Sequence, residues 1–250
     1  MIESQVDSLR NNGYVVVRNF IPTEEVATMR EVAEDQLNSP DNMVEYEADL
    51  QYPGAPESKD APGGRTIRRL KDAYMRHPIF STWATGPEIK NWLRVYFGTD
   101  DLRLVRSHHN TIFTKHPTYG SLTDWHRDGR HWKFKCGDLV SAWFALGTEH
   151  MTNGGLLFIP NSHNMFINQE RFTEDKFLRT DLEANRELLK GAVTTTLYAG
   201  DVVFFHCNTL HAAGQNHTDE IKFAAAFTYH TANNTPMPGT RSASMKEIPF

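Results

Sequence analysis

The chain contains Trp125-His126-Arg127-Asp128-Gly129, which sets an imidazole and a carboxylate two residues apart. On an extended chain, side chains i and i+2 point to the same side, so His126 and Asp128 face together and Arg127 faces away. A nitrogen and an oxygen ligand on one face suit Fe(II), which proteins commonly hold with two histidines and one carboxylate. A His-x-Asp pair also occurs as a surface or structural pair, so a third ligand has to come from elsewhere in the chain.

The second half of the chain offers that third ligand on a strand-like background. The run Asp201-Val-Val-Phe-Phe-His206 is followed by Leu210-His211, and Lys222 opens another strand-like run. A second histidine, well separated in sequence from the first, can close such a triad in a β-barrel. Taken alone, His211 also fits a core or surface histidine, and Lys222 fits a charge at a strand edge that discourages aggregation.

Length, charge and cysteine content narrow the class of protein. The chain has 250 residues, enough for one well-buried domain. Its net charge of -5 does not favour nucleic acid or an anionic membrane as a partner. The N-terminus has no signal-peptide pattern, no apolar run reaches the ~20 residues of a membrane helix, and the two cysteines do not make a disulfide framework. We therefore expect a cytoplasmic monomer or homodimer that acts on a small molecule.

The first 98 residues have a mainly helical pattern. Apolar spacing predicts helices at 2–12, 23–37, 78–84 and 87–97, with Thr23 as a capping residue, and a β-branched strand at 14–17. Residues 39–64 are rich in Pro and Gly, and a loop of this length is typical of a lid or a disordered segment. The basic cluster that follows fits either a solvated face or a clamp for an anionic group. It consists of Arg65, Arg68, Arg69 and Lys71.

After residue 98 the pattern becomes strand-like. Strands are predicted at 102–115, 122–128, 139–146, 156–159, 193–198, 202–206 and 223–229, with a helix-containing excursion at 164–190. This spacing, with tight turns, predicts an antiparallel barrel or sandwich. We expect one domain over 1–250: a helical support with an outer strand and the candidate lid 39–64 in 1–98, the β core in 99–230 and a tail in 231–250.

Taken in order, the motifs of the chain resemble the phytanoyl-CoA dioxygenase family of Fe(II)- and 2-oxoglutarate-dependent oxygenases. The resemblance covers nearly the whole chain. It is carried by Gly13-Tyr14-Val15-Val16, His126-Arg127-Asp128, Trp143-Phe144-Ala145-Leu146, Asn153-Gly154-Gly155-Leu156, Ile159-Pro160-Asn161-Ser162-His163, Ala199-Gly200-Asp201 and His211 with Gly214 and Asn216. It implies a mainly β fold with flanking helices, a double-stranded β-helix (a jelly roll, cupin-like). It also implies Fe(II) as cofactor, with 2-oxoglutarate and O2 as cosubstrates.

The resemblance also implies roles for single residues. It assigns His126, Asp128 and His211 to iron, with no catalytic residue beyond these ligands. The family has an arginine eleven residues beyond the last ligand, where it binds the distal carboxylate of 2-oxoglutarate; this chain has Lys222, which offers a point charge instead of a bidentate fork. The family often has a serine where this chain has Ala213.

Two further positions are predicted to line the cosubstrate pocket, and a larger group faces the substrate. Trp143 matches a pocket position of the family, and Thr111 lies on a strand that contributes to the pocket. The candidate substrate-binding residues are Arg65, Arg68, Arg130, His131 and His109, with Arg69, Lys133 and Lys135 in the same basic surroundings. These cations indicate an anionic substrate.

The reaction that the resemblance implies releases succinate and CO2 from 2-oxoglutarate while a C–H bond of the substrate is oxidised. The presence of Asp128 favours hydroxylation or desaturation, because related halogenases have a small residue there that leaves room for chloride. Two other classes fit the residues themselves. A His/Asp/His site also suits a zinc-dependent hydrolase, although the sequence offers no separate general base, and the fold also suits a non-catalytic jelly-roll binding protein.

Overall fold

The protein is described from a computed structural model of residues 1–50 and 52–250, which consists of two antiparallel sheets flanked by helices. The helices are α1 (Ile2–Asn12), α2 (Thr23–Asn38), α3 (Ala73–Arg76), α4 (Pro78–Thr85), α5 (Pro87–Phe97) and α6 (Glu183–Leu189). The strands are β1 (Tyr14–Val17), β2 (Val44–Tyr46), β3 (Ile67–Lys71), β4 (Leu102–Lys115), β5 (Thr123–His126), β6 (Val140–Ala145), β7 (Leu156–Phe158), β8 (Val193–Thr194), β9 (Val202–His206), β10 (His211–Ala213), β11 (Lys222–Thr231) and β12 (Ile248–Pro249). The part of the chain that the structure describes contains no helix with the length and apolar character needed to cross a membrane.

The two sheets differ in size and in what they carry. The large sheet has the strand order β1-β9-β6-β11-β4-β3-β2, with β12 paired to β4. The small sheet has the order β5-β10-β7-β8, and it carries both strands that end or begin at a predicted metal ligand. Antiparallel pairing throughout agrees with the predicted class of sandwich or barrel.

The core forms on both faces of the large sheet, because neighbouring side chains on a strand point to opposite faces. On β9, Phe204 packs towards the helices, where its ring stacks on Trp92 with 3.7 Å between ring centroids. Its neighbours Val203 and Phe205 face the small sheet and share a cluster with Phe158 of β7. The strands β6 and β11 are accordingly buried on both faces along almost their whole length.

Several sequence predictions match the structure closely, and one helix start differs. The predicted ranges 2–12, 87–97 and 102–115 are the observed bounds of α1, α5 and β4. Helix α2 begins at Thr23 itself and is preceded by Pro22, so Thr23 is a helical residue without a side-chain cap bond. The hydroxyl that we expected to cap the helix lies one position too far along the chain to do so.

Residues 39–64 are only partly irregular, which corrects the prediction of a structureless segment. Strand β2 pairs with β3, and a 3-10 helix, Glu47–Asp49, follows it. Glu47 is fully buried, and its carboxylate accepts hydrogen bonds from Arg68 and Ser121 that offset the cost of removing it from water. We expected the β core to lie within 99–230. The large sheet also includes β1, β2 and β3, which precede this range, and β12, which follows it and pairs with β4.

Candidate functional site

The residues His126, Asp128 and His211 come together at the junction of β5 and β10. The two histidines are direct partners in the antiparallel pair β5–β10, and a 3-10 helix begins at Asp128 immediately after β5. One ligand atom from each of the three residues lies within 4.8 Å of the others. The Asp128 Oδ1 atom is 3.4 Å from His126 Nε2 and 3.6 Å from His211 Nε2. The sequence thus brings the three donor atoms to one point although His211 is far from the other two along the chain.

Both imidazoles are oriented from behind by the backbone. His126 Nδ1 lies 2.8 Å from the carbonyl oxygen of Asp124, and His211 Nδ1 lies 3.0 Å from that of Thr209. A ring nitrogen that faces a carbonyl oxygen carries the proton, which leaves Nε2 as the atom with a free lone pair. Burial, together with the neighbouring His211, lowers the pKa of His126 to about 3, so the imidazole is neutral and able to bind a metal near pH 7.

The carboxylate of Asp128 has one oxygen atom that no protein group satisfies. Its Oδ2 is buried and has no hydrogen-bond partner among the described residues, and the nearby His109 Nδ1, at 3.4 Å, is likewise unpartnered. Burial alone would raise the pKa of this carboxyl, but His109, His211 and His126 lower it below its usual range. A charged carboxylate with two imidazoles that present Nε2 is a donor set that fits a divalent cation, and a buried, unsatisfied oxygen indicates a missing partner.

His109 reaches this site because β4 is irregular. Opposite β11, the register of β4 passes from Val105, paired with Thr228, directly to Asn110, paired with Phe227. The residues between them bulge from the ladder, and bulges commonly turn a side chain towards an active site. His109 borders both cavities described below, and its ring packs edge-on against Trp132.

A narrow inner cavity of about 60 Å³ extends from the triad between the two sheets. One part of its wall is apolar and includes Phe113, Leu156 and Phe205. The cationic part of the wall comprises Arg68, Arg69, Lys115 and Lys222. Trp143, which the family resemblance assigns to the cosubstrate pocket, also lines this cavity. A small elongated anion with an apolar middle matches this lining.

Most of these cations already have a carboxylate partner. Lys222 Nζ lies 2.8 Å from Glu149 Oε2, and the exposed fractions of the two side chains are 4% and 0%. Trp143 Nε1 donates to the other oxygen of Glu149 at 2.9 Å, so this carboxylate is held from two sides. Arg68 pairs with Glu47 at 3.0 Å and Arg69 pairs with Glu45 at 2.9 Å. Lys115 is the exception: it donates a hydrogen bond to the carbonyl oxygen of Ser121, and no carboxylate among the described residues lies within ion-pair distance of it.

A wider outer cleft of about 500 Å³ opens on the other side of the triad. Its lining includes Arg130, His131 and Arg241, and it shares His126, Asp128, His109, Arg69 and Thr123 with the inner cavity. The guanidinium of Arg130 lies 4.1 Å from the ring centroid of Phe177, and Arg241 Nε donates to the carbonyl of Ser107 at 3.2 Å. Neither guanidinium has an ion-pair partner among the described residues. The triad therefore lies where two chemically different cavities meet.

The structure separates the sequence-predicted residues into three groups. The inner cavity receives Lys222, Trp143 and Arg68, and the outer cleft receives Arg130 and His131, with His109 at their junction. Thr111 lies on the outer cleft and outside the lining of the inner cavity, and its hydroxyl donates to the carbonyl oxygen of Leu70. Arg65 borders neither cavity; it is exposed and lies 3.7 Å from Asp60, because the turn before β3 directs it outward.

Three residues at the site were missed by sequence reasoning. Lys115 was recognisable as the last residue of a predicted strand, two positions after Phe113, and the alternation of that strand predicts a common face for the pair. Glu149 and Arg241 had no such signal. Glu149 lies in a turn 73 residues before its partner Lys222, and Arg241 comes from the segment that we treated as a tail.

The sequence has relatives of known activity along almost its whole length. A family model described as phytanoyl-CoA dioxygenase (PhyH) matches residues 9–224. The chain is 26% identical to an ectoine dioxygenase of Bordetella bronchiseptica in an alignment of 250 positions that covers 94% of this chain and 77% of that relative. It is 24% identical to the peroxisomal phytanoyl-CoA dioxygenase of Homo sapiens in an alignment of 237 positions that covers 89% of this chain and 66% of that enzyme.

Solved structures of similar fold include the epimerase SnoN and EctD from S. alaskensis. The epimerase SnoN, in complex with Fe3+, alpha ketoglutarate and nogalamycin RO, has a TM-score of 0.74 at 23% identity and matches 100% of this chain and 95% of that chain. EctD from S. alaskensis, with 2-oxoglutarate and 5-hydroxyectoine, has a TM-score of 0.74 at 20% identity. The match covers 97% of this chain and 84% of that chain.

The comparisons confirm three of the sequence predictions. The shared fold confirms the jelly roll, here as two open sheets. The enzyme class is confirmed as the non-haem iron, 2-oxoglutarate-dependent dioxygenases, which are oxidoreductases. At the level of the family, the predicted cofactor Fe(II) and the cosubstrates 2-oxoglutarate and O2 are confirmed as well. The chain belongs to the phytanoyl-CoA dioxygenase (PhyH) family of Fe(II)- and 2-oxoglutarate-dependent oxygenases.

Proposed function

We propose that the protein hydroxylates, or desaturates, a small anionic metabolite and converts 2-oxoglutarate to succinate and CO2 in the same reaction. In this proposal His126, Asp128 and His211 hold Fe(II), the inner cavity takes 2-oxoglutarate and the outer cleft takes the substrate. The observation that carries it is the position of the triad between a small basic cavity and a larger polar cleft.

The size and lining of the inner cavity support its assignment to the cosubstrate. At about 60 Å³ it is much smaller than the outer cleft of about 500 Å³, so we assign to it the more compact of the two ligands. 2-Oxoglutarate has a charged carboxylate at each end and two methylene groups between them. Its metal-binding end would lie at the triad, its methylenes would contact Phe113 and Leu156, and its distal carboxylate would face the cations at the far end.

The chain's own residues contribute position and the exclusion of water. Iron with 2-oxoglutarate and O2 supplies the oxidising power for C–H cleavage; the protein supplies a dry, shaped cavity. Phe205 and Leu156 are buried and form apolar wall around the ligand atoms. The backbone carbonyls of Asp124 and Thr209 hold both imidazoles in one tautomer and one orientation, which keeps Nε2 directed at the metal position.

The charge of the outer cleft supports an anionic substrate. Arg130 and Arg241 both line the cleft, and neither is neutralised by a carboxylate among the described residues. A guanidinium binds carboxylate and phosphate groups through paired, charge-assisted hydrogen bonds. The cleft volume of about 500 Å³ suits a metabolite larger than the cosubstrate.

The proposal is tested by a screen for substrate-stimulated succinate formation. The Fe(II)-loaded protein is incubated with 2-oxoglutarate, O2 and panels of carboxylated, phosphorylated, neutral and cationic metabolites. We expect stimulation by a compound with at least one anionic group, and a product heavier by one oxygen atom or lighter by two hydrogen atoms. Stimulation confined to neutral or cationic compounds would contradict the proposed substrate class.

Substitution of the two cleft arginines provides a more specific prediction. Arg130→Ala and Arg241→Ala should each raise KM for the anionic substrate by roughly 10-fold or more, because a hydrogen bond to a charged group contributes about 1.5–3 kcal/mol. The matched control is Arg65→Ala, which removes an exposed arginine outside both cavities and should leave KM within about twofold, as expected for a surface change. Equal effects of all three substitutions would indicate a general electrostatic effect instead of direct contact.

The candidate lid stays a prediction, now confined to part of the loop. Strand β2 and Glu47 are anchored by β3 and Arg68, so 44–49 should exchange slowly. Residues 52–64 lack strand pairing, and Tyr52 borders the outer cleft, where its ring contacts Phe177. We expect fast amide hydrogen exchange at 52–64 in the free protein and protection once metal, 2-oxoglutarate and substrate are bound. Strong protection of 52–64 without ligands would identify it as a static structural loop.

The proposed setting is a reducing, cytoplasmic compartment. Cys136 is an exposed free thiol, and Cys207 is a buried free thiol whose pKa is raised to about 12 by burial. Thiols in this form agree with a protein that does not depend on disulfides. Whether it acts as a monomer or a homodimer stays a prediction to be measured by sedimentation.

A further inference from the structure

Two buried lysines that line the inner cavity lie directly opposite each other on neighbouring strands. Lys115 is the last residue of β4 and Lys222 is the first of β11, and the two are partners in the antiparallel register. Directly opposed side chains on one sheet face are only about 4.5–5.5 Å apart at Cβ, and like charges there are unfavourable. As whole residues, Lys115 is 8% exposed and Lys222 is 6% exposed, so water does little to screen the repulsion between the two ammonium groups.

Only one member of this pair is neutralised by the protein. The carboxylate of Glu149 binds Lys222, as described above. The ammonium of Lys115 donates one hydrogen bond, to the carbonyl oxygen of Ser121 at 2.7 Å, and no carboxylate among the described residues lies within ion-pair distance of it. Of the four cations lining the cavity, three have carboxylate partners, and the surplus charge is that of Lys115.

The side chain of Lys115 passes close to two glycines, Gly120 and Gly154. A Cβ atom on Gly120 would lie 3.2 Å from Lys115 Cδ, and one on Gly154 would lie 3.2 Å from Cγ and 3.3 Å from Cε. The lysine stem therefore runs between two positions where any side chain would press on it. Gly154 also has a φ of 78°, which favours glycine, so the close approach and the backbone conformation require the same residue. The absence of a side chain at these two positions leaves room for the buried lysine stem.

An isolated buried ammonium is unfavourable until an anion joins it. Burial, with repulsion from Arg68 and Lys222, lowers the pKa of Lys115 well below its ordinary range. An anion with one negative charge would compensate the surplus of the cavity and could accept hydrogen bonds from the ammonium protons that have no protein partner. The distal carboxylate of 2-oxoglutarate carries that single charge.

We propose that Lys115 supplies the charge that binds the distal carboxylate of 2-oxoglutarate, and that Lys222 with Glu149 forms a neutral pair that supports the end wall of the cavity. This inference rests on the proposed function, because it places 2-oxoglutarate in the inner cavity. It differs from the expectation drawn from the family resemblance, in which Lys222 alone takes the place of the family's arginine. The distinction is a matter of charge: Lys222 is already neutralised, and Lys115 is not.

The test compares two ligands that differ only in the distal group. Calorimetry measures binding of 2-oxoglutarate and of 2-oxopentanoate, which has a methyl group in place of the distal carboxylate, to the full-length protein loaded with Ni(II) to prevent turnover. The parent protein should bind 2-oxoglutarate at least about 10-fold more tightly, a difference of roughly 1.4 kcal/mol. A parent protein without this preference would overturn the assignment of the cavity to 2-oxoglutarate, and with it this inference.

The variants then locate the cation. Lys115→Met should lose most of the parent's preference for 2-oxoglutarate and should bind 2-oxopentanoate as the parent does. The double variant Glu149→Gln/Lys222→Met removes a neutral pair and should keep the preference within about threefold of the parent's. Lys190→Met, which removes an exposed lysine on the surface after α6, is the charge-matched control and should keep it fully.

Two outcomes would overturn the inference while the proposed function stands. In the first, Lys115→Met keeps the parent's preference. In the second, the double variant loses the preference as completely as Lys115→Met does, which would assign the carboxylate to Lys222. Thermal unfolding and Ni(II) content are measured for every variant. Loss of an unpaired buried charge should not lower the melting temperature of Lys115→Met, and Lys115→Gln serves as a second variant if the methionine disturbs packing.

Discussion

Replacing His126 or Asp128 by alanine is expected to abolish turnover and to weaken Fe(II) binding by more than about 100-fold. Each residue supplies one of three donor atoms that lie within 4.8 Å of one another, and the cavity around them is buried. Loss of even an outer hydrogen-bond partner of a metal ligand commonly costs 10–100-fold in affinity, so loss of a ligand should cost more. Equilibrium dialysis against Fe(II), followed by metal analysis, measures the first quantity, and succinate formation measures the second.

A matched histidine variant separates ligand loss from a general effect of removing an imidazole. His217→Ala removes an exposed histidine that borders neither cavity, and it should bind iron and turn over as the parent does. Full activity in both His126→Ala and Asp128→Ala would show that the triad does not hold the catalytic iron. Retained iron with lost activity in Asp128→Ala would mean that the two histidines suffice to hold the metal.

The second large effect is expected on stability and comes from Lys222. Lys222→Ala should lower the free energy of unfolding by about 3–5 kcal/mol, because it leaves the fully buried Glu149 without its cation. The Trp143 indole still donates to Glu149, but one neutral donor does not compensate a buried carboxylate. Urea unfolding followed by tryptophan fluorescence measures the loss.

The double variant Glu149→Gln/Lys222→Met decides whether the loss comes from the unpaired charge. The glutamine oxygen can still accept the Trp143 hydrogen bond, and methionine fills most of the volume of the lysine stem. We expect this variant to recover most of the stability that Lys222→Ala loses, since a neutral pair of similar size commonly replaces a buried ion pair at little cost. If the double variant is as unstable as Lys222→Ala, the ion pair is not the reason for the effect.

The elements that the sequence predicts best are those with a strong local pattern. Helix α5 begins at Pro87 and is followed by Gly98 in the left-handed conformation, so both ends are marked by residue type. The metal pair His126 and Asp128 is also local, because a spacing of two on an extended chain fixes a common face. His211 needed the family resemblance, since nothing in its immediate neighbours distinguishes a ligand from a core histidine.

The charges of the cavity could not be predicted, because their pairing is decided by the fold. Lys222 and Glu149 are 73 residues apart, and the distance between them depends on how a turn after β6 meets the start of β11. The alternation of β4 places Lys115 on the same face as Phe113, but the lack of a carboxylate partner for Lys115 is visible only once β4 and β11 are in register. The bulge that brings His109 to Asp128 is equally invisible in the alternation of β4.

The central claim is that the triad of His126, Asp128 and His211 supports 2-oxoglutarate-dependent oxidation. The most direct measurement is simultaneous O2 uptake and succinate formation by the purified protein loaded with Fe(II), with 2-oxoglutarate and the substrate found in the screen. We expect equal amounts of O2 consumed and succinate formed, and neither in the Zn(II)-loaded protein or in His126→Ala. Product formation with Zn(II), without O2 uptake or succinate, would contradict it and would identify a zinc-dependent hydrolase.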